Sequence, residues 1–91
     1  MTPNEAGAYM ILGNFYASVN RTEDAEKQFL KWIEIDPKRI PSYLHLGDFY
    51  VASGKREKAI ETYRKAVDMD SKNIPALSKL AEVYINERKY E

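Results

Sequence analysis

His45 is the only histidine, and its side chain suits proton transfer near neutral pH. A general base also needs a nucleophile within reach and a third group to orient it. Ser42, one helical turn earlier, qualifies only by proximity. The reading adopted for His45 is a polar side chain on a helix face. The chain has no cysteine, so disulfides and thiolate metal sites are excluded and the redox compartment stays open. A metal site would need carboxylates beside His45, and no acidic cluster at ligand spacing is present. Gly13, Gly47 and Gly54 form no phosphate loop. No catalytic, metal-binding or cofactor-binding residue is therefore assigned, and the chain is expected not to be an enzyme.

Bulk charge points the same way. The 91 residues carry 14 basic and 14 acidic side chains, which cancel. That argues against nucleic acid or an anionic membrane as partner. No apolar run approaches the roughly 20 residues of a membrane span. Met1 is followed by Thr-Pro-Asn-Glu rather than a basic and then apolar stretch, so no signal peptide is read and the localisation is left open.

The elements that must position any site come from an internal repeat. Shifting the chain by 34 residues places Tyr9 on Tyr43, Leu12 on Leu46, Gly13 on Gly47, Phe15 on Phe49, Tyr16 on Tyr50, Ala25 on Ala59 and Phe29 on Tyr63. A second shift carries Ile40-Pro41 onto Ile74-Pro75, Leu46 onto Leu80, Gly47 onto Ala81 and Tyr50 onto Tyr84. Each unit reads as two helices, with apolar stripes at i, i+3, i+4 such as Leu46, Phe49 and Tyr50. Pro41 suits a first helical turn, and Gly54 ends that helix. Asn20 takes the place of the turn glycine, Thr22 reads as a cap, and Asp36-Pro37 is a stop. Thr2-Pro3-Asn4-Glu5 reads as a capping box. These signals predict helices at about 3–18, 22–35, 41–53, 56–70 and 75–87.

Small residues at Gly13, Gly47 and Ala81 permit close helix approach, with Ala25 and Ala59 expected opposite them. The aromatics Tyr9, Tyr16, Phe29, Tyr43, Tyr50 and Tyr63 are expected to fill the space between units. Packing therefore accounts for the tyrosines, Tyr84 included, better than a base-stacking platform does. The basic residues on the second helices and turns interleave with acids and read as a solvated outer face.

The motifs Tyr9-x2-Leu12-Gly13-x2-Tyr16, Ala25-x3-Phe29 and Pro37 resemble the tetratricopeptide repeat. The pattern returns as Tyr43-x2-Leu46-Gly47-x2-Tyr50 with Ala59-x3-Tyr63, then as Leu77-x2-Leu80-Ala81-x2-Tyr84. The resemblance implies an all-α fold: a right-handed superhelical array of antiparallel helix pairs, with five helices and about two and a half repeats. The units are placed at about 6–39, 40–73 and a partial 74–91. Ser71 stands where the family has its closing proline. Trp32 stands where it has alanine, and is expected to lie partly buried over the edge of the junction between units. The third unit stops inside the motif, so the sequence reads as a fragment of a longer array. Leu80, Ala81 and Tyr84 are then expected to be open, and the uncovered C-terminal helix to self-associate.

The resemblance also implies a function, protein–protein interaction within a larger scaffold or assembly protein. Arrays of this kind bind along a concave face lined by the first helix of each unit. By family register the candidates are Met10, Asn14 and Ala17, then Leu44, His45, Asp48 and Val51, then Ser78, Lys79, Glu82 and Ile85. This mixed set suits a peptide segment or partner helix. One family subclass clamps acidic C-terminal carboxylates. Asn14 matches its asparagine, but Met10 and Pro75 replace lysines, His45 an asparagine and Lys79 an arginine, which makes a poor clamp. The alternative is a structural spacer or oligomerisation segment without a peptide ligand. An RNA-binding helical repeat ranks last, given the neutral charge and the packed tyrosines.

Overall fold

A computed structural model describes the backbone over residues 5–89 and the side chains over residues 5–86. Five helices follow one another: α1 (Glu5–Ser18), α2 (Thr22–Ile35), α3 (Ile40–Ala52), α4 (Arg56–Met69) and α5 (Ile74–Lys89). The described residues contain no strand, and no helix among them is long and apolar enough to cross a membrane. The starts of α2 and α4, their ends, and the starts of α3 and α5 each fall one 34-residue period apart. The capping box lies outside the described residues except for Glu5, as do Tyr90 and Glu91.

The two turns inside the pairs are built alike. Asn20 and Gly54 take positive φ values of 64° and 78°. The next residue's amide then reaches back along the helix, Arg21 to the Tyr16 carbonyl and Lys55 to the Tyr50 carbonyl, both at 2.8 Å. This closure satisfies helix-end carbonyls and sets the return angle of the second helix. It also corrects the reading of Thr22. Arg21 is the N-cap residue and Thr22 is already helical, with no side-chain cap. The turn holds Arg21 by its backbone, while its guanidinium pairs with Asp24 at 2.7 Å and lies over the Tyr16 ring. A side-chain cap does occur at α5, where Asn73 Oδ1 accepts the Ala76 amide at 2.9 Å.

α1 packs on α2, α3 on α4, and α5 on α4, while α2 meets α3 at the junction between pairs. Within each pair an aromatic ring covers the small residue of the first helix. A Cβ built on Gly13 would stand 2.7 Å from the Phe29 ring, and one on Gly47 would run into the Tyr63 ring. The glycines therefore face Phe29 and Tyr63 at closest range. Ala25 and Ala59 are fully buried in the same core. Tyr50 is buried as well, whereas Tyr9, Tyr16 and Tyr43 are half-buried. Ala59→Leu and Gly47→Val should each cost about 1–3 kcal/mol by overpacking. Ala81→Val, at the third equivalent place but exposed, should cost less than about 0.5 kcal/mol. Urea midpoints at constant m-value test the contrast. Equal losses at Gly47 and Ala81 would remove the close approach as the cause.

Trp32 corrects a second expectation. It is only 7% exposed and belongs to the core, with its ring centroid 5.2 Å from that of His45 on α3. The indole packs at a tilt of 49° against the imidazole and fills the space between α2 and α3, so the junction takes it inside rather than over its edge. His45 is thereby half-buried as part of that junction.

The ends of the array differ from its middle. Leu12 and Phe15 are 40% and 56% exposed, while their repeat equivalents Leu46 and Phe49 are at 3% and 6%. Phe49 lies 5.5 Å from Phe29 of α2, and nothing occupies the corresponding place before α1 among the described residues. The open face expected at α5 thus has a counterpart at α1. At α5, Ala81 is exposed and Tyr84 is 37% exposed, so Tyr84 is not a core residue here. Leu80 turns against the core and is half-buried. The whole measures 45 × 32 × 14 Å.

Candidate functional site

All eleven candidate residues lie on α1, α3 and α5. Asn14, Asp48, Val51, Ser78, Glu82 and Ile85 are exposed. Met10, Ala17, Leu44, His45 and Lys79 are half-buried, and Met10, Ala17 and Leu44 rest against the core cluster. They hold up the surface as much as they present it.

One contact set joins the candidates across helices. Lys79 Nζ lies 3.1 Å from each carboxylate oxygen of Asp48, tying α5 to α3. Tyr63 of α4 donates its hydroxyl to the same carboxylate at 2.5 Å. Asp48 is thus satisfied from two sides, and Lys79 is drawn toward it and away from a clamp role. Burial, then the hydrogen bond to Asp48, then the Asp48 and Glu82 charges push the Tyr63 phenol above its ordinary value. A parallel contact lies on the other side of the array. Tyr50 donates to Glu26 at 2.6 Å, with Lys58 3.8 Å from the same carboxylate. Burial first, then Glu26 and Glu61, raise the Tyr50 phenol likewise.

The pair weighed for catalysis is occupied otherwise. The Ser42 hydroxyl is buried and donates to the Arg39 carbonyl at 3.0 Å, while the His45 ring packs at a tilt against Trp32. No group of three or more metal-ligating side chains is gathered among the described residues.

Sequence reasoning missed a cleft on the second-helix side. α2 and α4 do not touch through their backbones, and α3 floors the gap between them. Leu30 and Ile33 from α2, Tyr43 and Leu46 from α3, and Lys58 and Lys65 from α4 line a space of about 270 Å³. The available signal was Leu30 and Ile33, an i, i+3 apolar pair off the repeat positions. On the first-helix side a second cleft of about 270 Å³ opens at the Gly54 turn, with Val51 of α3 facing Val83 and Asn86 of α5.

Helix pairs at one fixed period, with a ring seated on the small residue of each complete unit, invite comparison with known repeats. The family description "Tetratricopeptide repeat" matches residues 6–39, and "TPR repeat" matches residues 47–86. The chain belongs to the tetratricopeptide repeat family. Among solved structures, the Sgt2 tetratricopeptide repeat domain from Aspergillus fumigatus is 26% identical with a TM-score of 0.81, over 98% of this chain and 58% of that one. MamA is 24% identical with a TM-score of 0.79, over 92% and 46%. The TPR2B domain of yeast Sti1, in complex with pHsp70, is 20% identical with a TM-score of 0.78, over 94% and 69%. The chain spans about half the length of the first solved relatives it matches. No curated protein matches the sequence.

Proposed function

We propose that the first-helix side of this tetratricopeptide repeat array binds a peptide segment or a helix of a partner protein, as part of a larger scaffold or assembly protein. The observation that carries the reading is the mixed surface of α1, α3 and α5. Val51 and Ile85 are exposed beside half-buried Met10 and Leu44, interleaved with exposed Asn14, Ser78 and Glu82. Apolar anchors give contact area and the polar groups fix register. Glu82 is the acceptor for a basic side chain of the ligand, since Asp48 is already engaged by Lys79 and Tyr63. The Sti1 domain in complex with pHsp70 supports this fold as a holder of protein ligands. An acidic tail is not the favoured ligand here, because Met10 and Pro75 stand where clamp cations would be needed. The reading involves no catalytic step and no cofactor, and nucleic acid is not the partner.

A peptide-display selection on the protein tests it. Winners should carry apolar anchors with a basic residue and bind in the micromolar range, about −8 kcal/mol. Val51→Glu and Glu82→Lys should each weaken them about tenfold or more, while Leu30→Glu in the α2–α4 cleft should leave them unchanged. Winners lost only with Leu30→Glu would move the site to that cleft. Acidic C-terminal tails among the winners would overturn the ligand chemistry, and no winners at all would favour the spacer reading.

A further inference from the structure

Asn14, Asp48 and Glu82 share one repeat position, one on each of α1, α3 and α5. All three are exposed, so a ligand lying across the first helices meets them as a row of polar groups. Their surroundings differ. Asn14 and Glu82 make no side-chain hydrogen bond or ion pair among the described residues. Asp48 is closed from within the chain: Lys79 reaches back from α5 and sets its ammonium 3.1 Å from both carboxylate oxygens, while Tyr63 donates to Oδ1. His45, which holds the same repeat position on α3 as Lys79 does on α5, packs against Trp32 instead. The middle step of the row is therefore occupied by the chain itself. The Lys79 and Asp48 side chains are 34% and 51% exposed, and a pair so open to water is readily exchanged for another.

We propose that Lys79 is a specificity-determining residue of this surface: it holds, in the same chain, the place at Asp48 that a basic side chain of a ligand would take. The inference rests on the peptide-binding reading above and adds what limits the ligand's charge. Asp48 and Glu82 carry two negative charges against the single positive charge of Lys79, so one carboxylate, that of Glu82, is left to receive a ligand cation. A peptide with one basic residue displaces nothing. A second basic residue arriving at Asp48 meets the like charge of Lys79 and has to displace it, which selects against doubly basic segments.

Parallel peptide-display selections on the parent, on Lys79→Met and on Lys79→Met/Asp48→Asn test it. Methionine keeps most of the half-buried lysine stem and removes the ammonium. Parent winners should carry one basic residue and Lys79→Met winners two. Peptides of the second set should bind Lys79→Met about fivefold more tightly than the parent at low salt. The gain should fade toward about 1 M salt, where exposed charges are screened, and the double variant should lose it. A merely loosened α5 would weaken every peptide at every salt concentration, which is the opposite sign. Winners of unchanged charge and affinity on Lys79→Met overturn this inference and leave the binding surface standing. A gain that survives Asp48→Asn overturns it as well. No winners from any of the three proteins would remove the binding surface and this inference together.

Discussion

Trp32→Ala should remove about 3–5 kcal/mol of stability, the range for truncating a large buried aromatic. A domain of this size has roughly 5–14 kcal/mol in total, so the variant will sit near the edge of folding. A drop in Tm of about 12 °C or more is expected, followed by circular dichroism because the only tryptophan is lost. The cause is local: the indole fills the α2/α3 junction against His45. An internal comparison sharpens the test. Ala66 holds the equivalent place one period later and is also fully buried, so that backbone position can close around a methyl group. A loss below about 1 kcal/mol would mean that α2 and α3 collapse onto the smaller residue, and the indole's contribution would then be refuted.

Alkaline pH should destabilise the fold through Tyr50 and Tyr63. Both phenols are held above the ordinary value near 10 by burial and by hydrogen bonds to Glu26 and Asp48. A raised folded value means that the unfolded chain gives up these protons first. The stabilisation is thus fully present below about pH 10 and lost as pH rises beyond it, at up to about 1.4 kcal/mol per pH unit for each tyrosine. Urea unfolding between about pH 8 and 11.5 should show the decline. The Tyr50→Phe/Tyr63→Phe double variant should have the shallower slope, while the lysines and other tyrosines supply a background common to both proteins. Parallel slopes would rule out these two groups as the cause.

The helices were legible because the 34-residue period and the Pro, Gly and Asn punctuation agree at most of the turns between them. α2 and α4 begin and end within a residue of expectation. Thr22 misled because cap preference is a local signal, whereas the start of α2 is fixed by the closure on the Tyr16 carbonyl. The open face of α1 was not legible for a different reason. Leu12 and Phe15 carry the same letters as Leu46 and Phe49, and letters record what a position needs without recording whether a neighbour supplies it. The binding candidates fall on α1, α3 and α5, the helices to which the register assigned them. That Asp48 is satisfied by Lys79 and Tyr63 could not be read, since those partners lie 31 and 15 residues away. The α2–α4 cleft was hidden by the lysines around it, which made its apolar lining look like an outer face.

The 34-residue spacing of helix boundaries, with the backbones of α1 and α5 apart among the described residues, makes length a heritable variable of this fold. Unequal recombination that deletes or duplicates residues 40–73 would rejoin helices of the same kind in the same order, and every new neighbour would meet a familiar surface. A slip of any other length would break the ring-on-glycine register and be eliminated. The junction that would register a clean deletion is the one holding Trp32. Its indole would come to rest against Lys79, the repeat equivalent of His45, exchanging a tilted ring contact for a cation over its face.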